Sequence, residues 1–216
     1  MLNEREKCRI IMNIMNKKIF LSVVCILLAG SALGFAGIKL TRGGYESPEY
    51  KSKKHPSGFE IRNYSAMTIV STKKEKSKNT KERDSRFMRL FKYIDKSNSK
   101  SEKIAMTTPV FMGVDGNEGE MSFVLPKIVA SKGAPTPNSE ALYINEMNPT
   151  IFAAMRFRGK PSREKEAATK LIKKIKDAGF IISKNAKPIF AYYDPPWIPV
   201  FLRKNEVLIQ INNIKK

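Results

Sequence analysis

The sequence has few of the residues on which catalytic and metal sites most often depend. Only two of its 216 residues are cysteines, and only one is a histidine. Cys8 and Cys25 both precede residue 41, so the rest of the chain has no disulfide, thiolate metal site or cysteine nucleophile. The single histidine, His55, excludes a His-rich metal site and is the only one that a Ser/His/Asp triad could use.

Motifs for phosphate binding and acid–base catalysis are also missing. There is no glycine-rich phosphate loop and no Cys-x-x-Cys pair. The 20 acidic residues are dispersed along the chain and suggest no paired general acid and base. His55 lies between Lys54 and Pro56, and we interpret it as an exposed turn residue without a chemical role. We therefore expect a binding protein and not an enzyme.

Negative charge is scarce. The 40 Lys and Arg residues outnumber the acidic ones and give the chain a net charge of +20. Such a surface attracts anions such as lipid headgroups, nucleic acid or a ligand with carboxylates, although it can also be simply a solvated lysine-rich surface. Because no aromatic platform for stacking bases is evident, we expect no nucleic-acid partner. Docking on an anionic membrane surface stays an alternative function.

One long uncharged run stands out against this charge. Residues 19–38 are twenty residues without a charged side chain, directly after Lys17 and Lys18. As a helix this run would be about 30 Å long, enough to cross a bilayer. It predicts either a cleaved secretory signal, with Met15 as a candidate true start, or a retained membrane anchor. We expect residues 1–40 to be this segment and residues 41–216 to form one domain outside the cytoplasm, exported or anchored.

The body, residues 41–216, shows the patterns of strands and of two amphipathic helices. The sequence predicts strands at 45–51, 59–64, 66–72, 104–114, 121–125, 151–157, 188–193 and 207–211. Helices are predicted from Thr80 to about Ser97, and from Pro161 to a stop at Gly179. The order strand, helix, strand, strand therefore occurs twice. This predicts an α+β domain with a duplicated unit, an antiparallel sheet curled towards a barrel, and a ligand cleft between helix and sheet.

The first helix carries an apolar stripe at helical spacing, bordered by arginines. The stripe consists of Phe87, Leu90, Phe91 and Ile94, and the arginines beside it include Arg86 and Arg89. Such a stripe can form the floor of an apolar pocket, with cations at its edge. The same pattern is equally typical of an ordinary core-facing helix.

Five segments of the body are more specific than packing alone requires. They are GFEIR at 58–62, KIAMTTPV at 103–110, MSFVLP at 121–126, YDPPWIP at 193–199 and FLRKNEV at 201–207. In this order they closely resemble the signature stretches of the SOUL haem-binding family, and the resemblance spans residues 45–211. The prolines of the fourth segment fix an extended corner, where we expect Trp197 to pack over the end of the barrel.

The resemblance implies a distorted antiparallel β-barrel flanked by two helices. It also implies non-catalytic binding of haem or a related tetrapyrrole near the first long helix, for carriage, buffering or scavenging. Carried onto this chain, Phe87, Leu90, Phe91 and Ile94 would form the pocket floor, and Arg86 and Arg89 would bind the propionates. The domain also looks like bacterial effector-binding domains, so another amphipathic or anionic small molecule is the alternative ligand.

The iron ligand is left open by the sequence. His, Met, Cys and Tyr can ligate haem iron, and the body offers no cysteine and one histidine. The remaining candidates are Met88, Met106, Met155, Tyr192 and Tyr193. We therefore expect hydrophobic binding of the tetrapyrrole by a monomer, without a strong axial protein ligand.

Overall fold

The computed structural model describes residues 44–74, 85–114, 119–195 and 197–215. The strands are β1 (Tyr50–His55), β2 (Phe59–Tyr64), β3 (Met67–Thr72), β4 (Val110–Met112), β5 (Met121–Val124), β6 (Leu142–Met147), β7 (Thr150–Phe157), β8 (Phe180–Ile182), β9 (Ile189–Tyr192) and β10 (Asn205–Lys215). The α-helices are α1 (Arg86–Ile94), α2 (Lys127–Ser131) and α3 (Glu164–Asp177). Residues 45–216 form one compact unit, and the predicted α+β class is confirmed.

The strands form one antiparallel sheet whose pairing order is mirrored about its centre. The order is β1-β2-β7-β10-β9-β4-β5-β3-β6, with β8 added to β10. β4 and β9 pair at the centre of the sheet. Outwards from this pair, the strands β4, β5, β3 and β6 of one half occupy the positions that β9, β10, β7 and β2 occupy in the other half. The first half contains the unit β3-α1-β4-β5, and the second half contains β7-α3-β9-β10 with the additional short strand β8 after α3. The duplication predicted from the sequence is therefore present in the pairing order, with β8 as the exception.

The barrel prediction is wrong in one respect, because the sheet does not close. β1 pairs with β2 alone and β6 with β3 alone, so these two strands are the edges of the sheet within the described residues. β1 carries Lys51, Lys53 and Lys54, all exposed, and charged side chains of this kind discourage pairing with a further strand. The outcome is a curled, open sheet.

Several element boundaries also differ from the predictions. The strand predicted at 104–114 is formed only at Val110–Met112. β1 starts later than predicted, and the chain turns over His55–Gly58, where Gly58 has a φ of 80°. β6, β8 and the short α2 were not predicted. The start predicted for the first helix, Thr80, lies outside the described residues. Gly179, with a φ of 77°, ends α3 as predicted.

Three buried clusters stabilise this unit. Two of them lie between the sheet and the helices α1 and α3, and the third lies between the two halves of the sheet. The α3 core joins α3 to the outer face of β2, β7 and β10, around Leu171, Ile175 and Val207. The α1 core joins α1 to the outer face of β3, β5 and β6, around Leu90 and Phe123. The inner core lies between the two half-sheets. The described members of all three clusters belong to the compact unit of residues 45–216. Members of the inner core are Tyr64, Ile69, Phe111, Val124, Phe152, Ala154, Ile189, Ala191 and Leu208.

A buried ion pair lies beside the inner core. Arg62 on β2 donates to both carboxylate oxygens of Glu206 on β10, at 2.7 and 3.1 Å, and both side chains are almost fully buried. The pair crosses the intervening strand β7 diagonally, past Ala154, whose small side chain leaves room for the guanidinium. Glu60 accepts from Arg62 Nε at 2.9 Å, and the Tyr193 hydroxyl donates to Glu206 at 2.7 Å. These bonds join β2 and β10, on the two sides of β7, to the end of β9.

The protonation states of this network follow from burial and from the guanidinium. Burial alone would raise the pKa of Glu206, but the hydrogen bonds and charge of Arg62, together with the Tyr193 hydroxyl, hold that pKa below its usual value. Burial, and next the negative charge of Glu206, raise the pKa of Tyr193, so its hydroxyl stays protonated and donates. The network is therefore a carboxylate held by a guanidinium and a neutral phenol.

No helix in the described part of the chain is long and apolar enough to cross a bilayer. The uncharged run at 19–38 and both cysteines lie outside that part. The division of the chain at residue 40 and the export of the body stay predictions.

We expect Glu206→Gln to destabilise residues 41–216 by about 3–5 kcal/mol at neutral pH, because it removes the buried carboxylate that binds Arg62 and leaves only the partly exposed Glu60 as its anionic partner. Since the pKa of Glu206 is lowered in the folded state, its stabilisation is present above about pH 4.5 and is lost as the pH falls through the folded pKa. The difference between wild type and variant in urea unfolding should therefore shrink on acidification. Glu166→Gln, which removes an exposed ion pair with Arg163, is the control and should leave the midpoint almost unchanged. Equal effects of both variants would contradict a central role for the buried pair.

Candidate functional site

Helix α1 divides the predicted apolar stripe between two environments. Leu90 and Ile94 are 0% and 4% exposed and pack with Tyr93 into the α1 core. The Tyr93 hydroxyl donates to the carbonyl of Pro135 at 2.8 Å, which fixes the helix against the neighbouring loop. Side chains thus fill the space between α1 and the sheet, where the sequence predicted a cleft. Leu90 and Ile94 therefore hold the helix against the sheet.

The other half of the stripe faces outwards. Phe87 and Phe91 are 41% and 39% exposed, and their rings are nearly parallel, with centroids 6.3 Å apart. Phe87 packs edge-to-face with Phe123 of β5, at a centroid distance of 5.4 Å. Met88 beside them is 52% exposed. We call Phe87, Met88 and Phe91 the α1 platform, an apolar surface that is held in place from below and open to a flat ligand.

The two arginines of the predicted site bind to their own chain. Arg86 is 8% exposed and donates from Nη1 to the carbonyl of Gly119. Arg89 donates to Thr72 Oγ1 at 3.2 Å, to Ser85 Oγ at 3.0 Å and to the carbonyl of Lys73 at 2.9 Å. Both therefore tie the start of α1 to the ends of β3 and β5. Arg89 keeps part of its surface in solvent, and Lys92, one turn from Met88, is exposed.

The candidate iron ligands are scattered over the fold. Met88 alone among the five belongs to the α1 platform. Met155 packs against the α3 core and Met106 against the α1 core. The Tyr192 hydroxyl donates to Glu164, and the Tyr193 hydroxyl donates to Glu206. Within the described residues, no group of three His, Cys, Asp or Glu side chains could hold a metal ion.

His55 is less exposed than the sequence indicated. It ends β1, and its ring stacks on Phe59 at a centroid distance of 4.7 Å and meets the edge of Phe180 at 5.6 Å. Its Nδ1 accepts from the backbone N–H of Ser57 at 3.2 Å. Phe59 and Phe180 belong to the α3 core, so this histidine lies beside α3 and contributes nothing to the α1 platform.

The prediction that Trp197 packs over the end of the sheet is wrong. Trp197 is 73% exposed, and Phe201, four residues on, is 69% exposed. The neighbouring Ile198 is 5% exposed and anchors the segment instead. A large apolar ring beside prolines was expected to be covered, but the chain buries Ile198 at this point and leaves the neighbouring ring exposed.

The division of α1 can be tested by stability. Leu90→Ala should cost about 2–5 kcal/mol in urea unfolding, because it leaves a cavity in the α1 core. Phe91→Ala, on the exposed half of the same helix, should cost less than about 1 kcal/mol. Similar losses for both variants would mean that Phe91 is part of the core and that the platform is not available to a ligand.

Solved structures share this fold at low sequence identity. The EcmrR–DNA complex in EcmrR-RPo matches with a TM-score of 0.51 and 13% identity, over 98% of this chain and 71% of that chain. An uncharacterized conserved protein from Listeria innocua also matches with a TM-score of 0.51, at 10% identity, over 72% of this chain and 93% of that chain. At such identities the likeness concerns the fold alone.

Sequence comparison identifies the family. A search of curated protein sequences found no match. The family described as SOUL heme-binding protein matches residues 45–210, which is nearly the whole described unit and contains the α1 platform, the buried ion pair and the loop of Trp197. The chain belongs to the SOUL heme-binding protein family.

Proposed function

We propose that this protein binds haem or a related tetrapyrrole on the α1 platform, without catalysing a reaction. The observation that carries the proposal is the exposed, nearly parallel pair Phe87 and Phe91 in a chain of this family. Apolar side chains that a fold leaves outside its core lower their free energy when a ligand covers them. A tetrapyrrole ring offers a flat apolar face of the matching kind.

The residues of α1 fit the ligand's two chemical parts. Phe87, Met88 and Phe91 would contact the apolar macrocycle. Lys92, exposed at the edge of the platform, would pair with one propionate. Arg89 is partly exposed and could bind the other by exchanging its bond to Ser85, which is itself exposed, for the propionate. Arg86 would first have to release the carbonyl of Gly119, so we assign it to holding the start of α1. When bound, the haem group supplies the iron chemistry, while the protein supplies an apolar surface and cations.

Carriage, buffering or scavenging outside the cytoplasm is the role that this mode of binding supports best. A platform open to solvent binds and releases a ligand without requiring the fold to open. The uncharged run at 19–38 argues for export or membrane attachment of the body. We propose that the body acts there as a monomer.

A second candidate ligand is favoured by a separate cleft. About 450 Å³ of space opens at one end of the inner core, lined by Ile69, Met147, Phe152 and Ile189 together with the amides of Asn185 and Gln210. Much of the remaining lining is polar, including Asn145, Glu146 and Lys187, so apolar side chains and hydrogen-bonding groups face the same space. An amphipathic molecule other than haem could bind there.

A hemin titration of residues 41–216, followed by absorbance, separates the two candidates. We expect saturable one-to-one binding that becomes at least roughly tenfold weaker in Phe87→Ala/Phe91→Ala, because two ring contacts are lost. Trp197→Ser/Phe201→Ser removes a comparable pair of exposed aromatic rings elsewhere and should bind hemin like wild type. Thermal unfolding of each variant verifies that it is folded. Unsaturable binding, or binding unchanged in the α1 double variant, would contradict haem binding on the α1 platform and favour the cleft at the end of the inner core.

The proposed binding without a strong axial protein ligand gives a spectroscopic expectation. Met88→Leu keeps the apolar volume and removes the only sulfur of the platform. Because we propose that this sulfur does not ligate the iron, the Soret band of bound hemin should not change. His55→Gln, beside α3, should likewise leave the band unchanged. A shifted band in Met88→Leu alone would identify Met88 as the iron ligand and contradict purely hydrophobic binding.

A further inference from the structure

The segment of residues 197–204, here the Trp197 loop, exposes two large rings far from α1 in the sequence. Trp197 and Phe201 are 73% and 69% exposed, more than Phe87 and Phe91 of the α1 platform. Pro199, between them, is exposed as well. Burying such rings normally contributes to folding, so a fold that leaves both outside invites an explanation other than stability.

Hydrogen bonds hold the backbone of this loop in place. The N–H of Ile198 donates to Pro195 at 3.1 Å, and the N–H of Leu202 donates to Pro199 at 2.8 Å. Arg203 Nε donates back to the carbonyl of Ile198 at 2.8 Å. Ile198 itself is buried. The two rings therefore project from a rigid support, and a partner would bind them without having to order the loop first.

Cations surround the base of the loop. Lys204 lies within the loop, with its Nζ 3.9 Å from the centre of the Tyr193 ring. The next residue, Asn205, donates to the carbonyl of Gly159 at 3.0 Å. This bond places the connection between β7 and α3 beside the loop, and with it the exposed Arg158 and Lys160. Aromatic rings at the tip and cations at the base match the layers of an anionic bilayer surface, apolar inside and negatively charged at the headgroups.

We propose that the Trp197 loop is a membrane contact, in which Trp197 and Phe201 insert into the interface of an anionic bilayer while Arg158 and Lys160 bind lipid headgroups. The uncharged run at 19–38 supports the choice of a lipid partner, because either a signal or an anchor brings the body to a bilayer. The contact does not depend on haem binding, which uses α1. It would hold the body at the membrane surface with the α1 platform still able to exchange a ligand.

Trp197 is the only tryptophan of the chain, so its fluorescence reports on this loop directly. Residues 41–216, without hemin and without the apolar run, are mixed with vesicles of phosphatidylglycerol and phosphatidylcholine. We expect a blue-shifted emission and co-sedimentation with the anionic vesicles. Lipids brominated near the headgroup end of their chains should quench the emission. Pure phosphatidylcholine should give neither effect, and raised salt should weaken both.

Two variants and one control separate insertion from general attraction of a basic protein. Arg158→Glu/Lys160→Glu should lower the affinity for anionic vesicles by about tenfold or more. Phe201→Ser should reduce both the affinity and the blue shift, while Trp197 stays as the probe. Phe87→Ala/Phe91→Ala, which removes exposed rings from α1, should bind vesicles like wild type.

Three results would overturn the proposal. The first is no binding to anionic vesicles, which would leave the loop to a protein partner. The second is co-sedimentation with unchanged Trp197 emission, which would mean that another basic surface binds the lipid. The third is equal weakening by the α1 variant and by Phe201→Ser. None of them affects the hemin titration, so the two proposals fail separately.

Discussion

The ion pair between Arg62 and Glu206 is the constraint around which one half of the sheet is built. An unpaired guanidinium or carboxylate at this depth would be very costly, so the chain must bring β2 and β10 to the two sides of β7 in one register. Ala154 allows the crossing because its side chain is small. A slip of one residue in either strand would turn a charge into the α3 core, which makes the network a strong selector of register.

The same network also defines the start of the Trp197 loop. Tyr193 donates to Glu206 from just after β9, and its ring lies under Lys204. The backbone N–H of Lys204 donates to Asp194. These contacts close the base of the loop against the sheet, so the rings beyond them project outwards. The exposed aromatic pair is thus connected to the buried ion pair of Arg62 and Glu206.

Among the residues that the structure describes, exposed phenylalanine and tryptophan rings occur at two separate places, and each suits a different partner. On α1 the rings of Phe87 and Phe91 are nearly parallel and exposed side by side, which suits an apolar ligand broad enough to cover both. In the Trp197 loop the rings stand on a proline-fixed projection with cations at its base, which fits a layered surface. In a chain of net charge +20, lysine would be a more ordinary residue than an aromatic one at these exposed positions. That these rings remain exposed in each case is the reason to assign them a function.

The sequence alone determined the family, the α+β class, the duplicated unit and helix α3, because these depend on local periodicity and on motifs that are continuous in the chain. Strands such as β3 and β7 were predicted for the same reason. β6 was missed because an edge strand that is only half buried, with Asn145 and Glu146 among its residues, shows no clear alternation. Tertiary structure alone decided that the sheet stays open, that the α1 stripe splits into Leu90 inside and Phe91 outside, and that Trp197 is exposed. Each of these depends on which distant segment covers a given side chain. The sequence pattern of an apolar helix face or a proline-rich turn is the same whether that face contacts the core, a ligand or a membrane.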